Sequence, residues 1–136
     1  MSGYVRELAL AARAAQSAIA MADSATRRDL IEAMAMHLQA GQATILAANA
    51  EDMRRAAASG ASKATLDRLL LNPERVRGMA DALREVAAQV DPLGTTTRSE
   101  VRPNGMLVER QRIPLGLVAM IYEARPNVTA EAAALC

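Results

Sequence analysis

Cysteine is almost missing from this sequence: Cys136 is the only one in 136 residues, which excludes an intrachain disulfide, a CxxC zinc site and a dithiol redox pair. Phenylalanine and tryptophan are absent and tyrosine occurs twice, so any core must be built from Ala, Leu, Val, Ile and eight Met, a palette suited to close helix packing. Lysine is reduced to Lys63, and Lys plus Arg (16) nearly balance Asp plus Glu (15). A net charge of +1 gives no electrostatic case for nucleic acid or an anionic membrane as partner. Long hydrophobic runs are lacking too. The longest stretch without a formal charge, Ala33 to Ala50, contains His37, Gln39, Gln42, Thr44 and Asn49 and makes a poor membrane span. Arg6, Glu7 and Arg13 interrupt the region where a signal peptide needs apolar continuity, so the chain reads as soluble and cytoplasmic.

What is present, over residues 1–91, is helical periodicity with few breaks. Val5, Leu8, Ala12, Ala15 and Ile19 form one stripe. Asp23 and Ser24 offer cap oxygens for a second helix carrying Leu30, Met34 and Leu38, interrupted at Gly41. From Gln42 to Ala58 the pattern resumes with Ile45, Leu46, Asn49 and Met53, and a short helix follows in SKATLDRLLL. Asn72, Pro73 and Glu74 then supply a cap, a first-turn proline and a first-turn acid for a helix whose apolar positions are Val76, Met79, Leu83, Val86 and Val90. The Met residues at 34, 36, 53 and 79 read as core filler, His37 as a surface histidine, and Arg27-Arg28 and Arg54-Arg55 as solvated pairs.

Residues 92–113 change character: Thr and Val become frequent, and Pro103-Asn104-Gly105 has the chemistry of a tight turn, predicting a β-hairpin with arms near Thr96–Arg102 and Met106–Ile113. Residues 114–136 carry GLVAMIY at 116–122, an uncharged run of the kind found in a strand covered on both faces, then Pro126 and the start of a helix with Asn127 or Thr129 as cap. Such a strand needs a returning partner, and a complete βαβ unit takes ~30 residues or more. The class predicted is α/β: N-terminal helices, a hairpin, and the first strand and helix start of an incomplete cofactor-binding sheet, the front part of a larger fold.

The run R-x-P-L-G-x-x-x-x-I-Y-E-A-R-P-N-V-T, Arg112 to Thr129, resembles the γ-glutamyl phosphate reductase (glutamate 5-semialdehyde dehydrogenase) family of the aldehyde dehydrogenase superfamily, and residues 45–94 are similar to that family's N-terminal helical region. The resemblance implies an NADPH-dependent reduction of γ-glutamyl phosphate to glutamate 5-semialdehyde and phosphate in proline biosynthesis. It implies a downstream cysteine thiolate that attacks the acyl phosphate and gives a thioester able to accept hydride. It also implies a homo-oligomer when complete, with the hairpin in an oligomerisation sheet; charge balance and the lack of ligand spacing around His37 and Cys136 separately argue against nucleic acid, membrane or metal as partner. Cys136, in an Ala-rich helix start, reads as structural rather than as that nucleophile, so the 136-residue chain alone is expected to be inactive.

By the same resemblance Asn127 corresponds to the superfamily's amide donor to the oxyanion, against the plainer reading of Asn127 as a helix cap. Arg125 has the planar fork to hold the substrate's phosphate or α-carboxylate, against an ion pair with Glu123 or a downstream acid. Tyr122 and Glu123, at the end of the predicted strand, are expected to wall the cofactor crevice. No G-x-G-x-x-G fingerprint is present. A reading from a different class is a free-standing helical module for protein interaction, which has no use for the YEARPNVT segment.

Overall fold

The computed structural model describes residues 3–136. Local signals explain most element boundaries. The helices are α1 (Gly3–Met21), α2 (Ser24–Ala40), α3 (Gln42–Ala58), α4 (Lys63–Leu69), α5 (Pro73–Ala87) and α6 (Pro126–Leu135), and the strands are β1 (Thr96–Val101) and β2 (Leu107–Gln111). At α4 the Ser62 hydroxyl accepts from the Thr65 N–H, and at α5 the Asn72 side chain accepts from the Arg75 N–H with Pro73 in the first turn, satisfying donors a helix start otherwise leaves open. Gly60, at φ 80°, follows the end of α3 in the left-handed backbone that a helix stop commonly uses.

The chain divides into two compact units, one holding α1 with Val90–Val118 and the other Ala25–Gln89 with Ala119–Cys136. In the second unit α5 is the central helix. Val76, Met79, Ala80, Leu83 and Ala87 are buried along one of its faces. Leu83 and Ala80 meet Ala35 of α2 and Ala134 of α6, with Ile31, Met34, Leu38 and Ala130 packed around them. Alanine at these contacts lets helix axes approach closely, which replaces the volume that absent aromatics would supply. Of the apolar positions read for this helix, Val86 is half-buried, while Val90 is 89% exposed because α5 ends at Ala87 and Val90 no longer shares its face.

Asn49 is the buried polar residue of this unit, and its position on the apolar stripe of α3 has a clear function. Its amide donates to the Leu69 carbonyl (2.8 Å) and its carbonyl oxygen accepts from the Leu71 N–H (2.7 Å), so α3 holds the connection from α4 to α5. The Arg75 guanidinium holds the same connection from the other side, donating to the carbonyls of Asp67 and Leu70 and to the Asp67 carboxylate. A helix as short as α4 is unstable alone; these side chains complete it.

In the first unit β1 and β2 pair antiparallel, Thr96 facing Gln111 and Val101 facing Leu107, with an irregularity between Thr96 and Arg98. Gly105, at φ 82°, closes the turn; its N–H donates to the Arg102 carbonyl, and the Arg102 N–H donates to the Met106 carbonyl. Both arms are exposed except for half-buried Glu100, whose carboxylate takes Arg98 and Arg102. α1 forms as predicted but buries none of its residues; Val5, Leu8 and Ile19 stay 40–52% exposed.

Residues 114–122 differ from expectation. They form no hydrogen-bonded strand, because the sheet among the described residues is β1–β2 and neither strand runs beside them. A strand is a ladder shared with a neighbour, so an uncharged sequence alone cannot make one. Leu117, Val118 and Met120 are 50–59% exposed and Ile121 is fully so.

Candidate active site

The corner from Tyr122 to Asn127 is set by backbone geometry. Ala124 has φ 52°, left-handed backbone that costs a residue with a Cβ roughly 1–2 kcal/mol. Arg125 then occupies the N-cap position of α6 at φ −139° and ψ 87° without a side-chain capping bond, and Pro126 fits the first helical position, where a missing N–H does no harm. The expectation that Asn127 or Thr129 caps α6 is corrected: both lie inside the helix, after Pro126. α6 packs on α5 through Ala130 and Ala134, and this fixes the corner against the α4–α5 connection.

That packing creates an open cleft of about 390 Å³. Arg125, Asn127 and Glu131 border it from α6, Asp67 and Arg68 from α4, and Arg75 and Met79 from α5. Arg125 and Asn127, singled out from the sequence, therefore share one cavity. Tyr122 and Glu123 do not line it; the Tyr122 hydroxyl is 2.6 Å from the Thr129 hydroxyl, and Glu123 is exposed.

The polar groups of the cleft divide into engaged and free. The Asn127 Nδ2 donates to both oxygens of Glu131, each at 3.1 Å. An ionised carboxylate only accepts, so Glu131 fixes which end of the amide is nitrogen and leaves its second N–H available. Arg75 is engaged: its Nη1 donates to the carbonyls of Asp67 and Leu70, and its Nη2 to the Asp67 carboxylate, which pairs its charge. Arg68 and Arg125 have no side-chain hydrogen bond or ion pair within the described residues, and the expected alternative of an Arg125–Glu123 pair does not form. The cleft thus offers two uncommitted guanidinium forks and one oriented amide donor, a set suited to a ligand with anionic groups and a carbonyl. Asp67, Arg68 and Arg75 escaped the sequence reading because only the docking of α6 on α5 brings them beside Arg125, whereas Glu131, four residues after Asn127 on the same helix, carried a legible i,i+4 signal.

No family model matches the chain. Curated relatives do. γ-Glutamyl phosphate reductases of Xanthomonas axonopodis pv. citri and Xanthomonas oryzae pv. oryzae are 53% identical over 97% of this chain, and that of Xylella fastidiosa (strain 9a5c) is 52% identical over 98%. The matched stretch is 32% of each, so the chain spans about a third of the length of these curated relatives. Two crystal structures agree with the fold: γ-glutamyl phosphate reductase of Thermotoga maritima, at 35% identity and a TM-score of 0.87 over 91% of this chain and 30% of that one, and the enzyme of Saccharomyces cerevisiae, at 27% and 0.89 over 99% and 34%. The resemblance carried by Arg112 to Thr129 is therefore borne out along nearly the whole chain, as is an α/β fold that forms part of a larger domain.

Proposed function

We propose that this chain is the N-terminal part of a γ-glutamyl phosphate reductase, and that the cleft between α4, α5 and α6 is the substrate side of its active site. The observation that carries the reading is the meeting of Arg125 and Asn127 in one cleft, within a chain 53% identical to such reductases over 97% of its length. The free N–H of Asn127 donates to the substrate's carbonyl oxygen and strengthens its bond as negative charge gathers there. The phosphate is bonded to that same carbonyl carbon, so it must lie beside Asn127, and Arg125, two residues away at the cap of α6, grips it. Glu131 keeps the amide turned the right way.

The cofactor is NADPH, which supplies the hydride when bound. Tyr122 and Glu123, which lie outside the cleft lining, would wall it. The fit is incomplete among the described residues: α6 opens on Pro126, which has no N–H, and the Val128 N–H is taken by the Arg125 carbonyl, so of these first three positions only Asn127 keeps a backbone N–H for a pyrophosphate. The work of this chain is accordingly on the acyl phosphate. Cys136, at the opposite end of α6 from Asn127, does not line the cleft, which speaks against it as the nucleophile. The 92–113 hairpin, exposed on both arms, serves an oligomerisation sheet, 1–91 and 114–136 belong to the cofactor domain, and the setting is the cytoplasm. A free-standing interaction module is not favoured, since the relatives match the YEARPNVT corner together with the helices.

The test is a chimera in which this chain replaces the matching third of the Xanthomonas axonopodis enzyme, assayed by phosphate-dependent reduction of NADP with glutamate 5-semialdehyde. The chimera should turn over, and Asn127→Ala in it should lower kcat by about 10² to 10³ with a small change in KM. A kcat unaffected by Asn127→Ala removes Asn127 from the chemistry.

A further inference from the structure

We infer that Arg68, at the C-terminal end of α4, is the specificity residue of this cleft and receives the free α-carboxylate of the substrate. The inference rests on the proposed substrate site and goes beyond it by assigning the far end of the ligand. Two guanidinium groups, Arg68 and Arg125, border the cleft without an ion pair within the described residues. Arg75 is the poorer candidate, because its charge is already paired with the Asp67 carboxylate and both Nη1 donors go to the Asp67 and Leu70 carbonyls. Arg125 is committed to the phosphate by its place beside Asn127. In a γ-glutamyl group the α-carboxylate is separated from the reacting carbonyl by a three-carbon chain, so it must bind away from α6, and the remaining free fork is Arg68 on α4. Two cationic forks facing two anionic ends also orient the molecule, since the doubly charged phosphate and the singly charged carboxylate cannot exchange places without moving the carbonyl off Asn127. The same cleft is lined by Met79, whose flexible thioether suits the apolar methylene chain.

The proposal is specific about ligand chemistry: an acyl phosphate or aldehyde bearing a free α-carboxylate is selected, and the same compound without it is not. The 136-residue chain can be titrated with L-glutamate, with 4-aminobutyrate, which lacks the α-carboxylate, and with inorganic phosphate, each followed by backbone amide shifts in NMR spectra. L-Glutamate should bind at least about tenfold more tightly than 4-aminobutyrate, the scale of one charge-assisted hydrogen bond. Arg68→Ala should abolish that preference and leave phosphate binding within twofold, Arg68→Lys should restore part of it, and Arg125→Ala should weaken phosphate without erasing the preference. Circular dichroism of each variant establishes that it folds. A glutamate preference that survives Arg68→Ala, with phosphate still bound through Arg125, overturns the role of Arg68 alone. A wild-type chain that binds neither glutamate nor phosphate at the cleft overturns both this inference and the substrate-site reading beneath it.

Discussion

Single side chains decide how this small fold holds its site. Asn49 is buried and makes both of its bonds to the main chain between α4 and α5. Asn49→Ala strands the Leu69 carbonyl and the Leu71 N–H away from water, and the expected loss is about 2–3 kcal/mol, read as a lower midpoint in urea unfolding with an unchanged slope. Asn49→Asp keeps an acceptor for Leu71 but no donor for Leu69 and should also destabilise the chain. The sequence placed Asn49 on an apolar stripe without saying why; the answer is its pairing with backbone roughly twenty residues on, which periodicity cannot display. Asn127 shows the converse. Its type and its neighbours Arg125 and Pro126 marked it, yet capping, the plain reading, fails because Pro126 starts the helix one position too early for it.

At the scale of elements, the start of α5 was the most legible part. Asn72, Pro73 and Glu74 announce α5 in three consecutive letters because capping is a local reaction between a side chain and backbone three residues on. Asn72→Ala should cost about 1 kcal/mol, seen as a fall of several degrees in Tm, while Asn72→Asp, which retains the acceptor, should stay within half of that. The hairpin was legible for a similar reason, since Gly105 supplies the positive φ its turn requires. The end of α5 was less so: the apolar period continues to Val90, but the helix has closed its last turn on the Arg84 and Val86 carbonyls by then. Least legible were the contacts of α6. Which residues of α4 and α5 stand opposite Arg125 depends on the docking of Ala134 against Leu83 and Ala80, a tertiary fact with no trace in local spacing.

For the molecule as a whole, the apolar stretch from Ile113 to Tyr122 matters most. Leu115, Met120 and Ile121 are exposed without a covering layer among the described residues, and unpaired backbone lies beside them. The chain should self-associate as concentration rises, with sedimentation velocity showing species beyond the monomer, and Ile121→Asp should shift the distribution back toward it. A wild-type chain that stays monomeric throughout would show that this stretch is not sticky. The ordering of elements has one more consequence. Ala134 joins Ala35, Ala80 and Leu83 in a single core, although α2 and α5 leave the ribosome long before α6 does. A nascent chain therefore carries an unclosed helical groove from the emergence of α5 until α6 follows, and chaperone occupancy of that groove should end only once Ala134 has emerged.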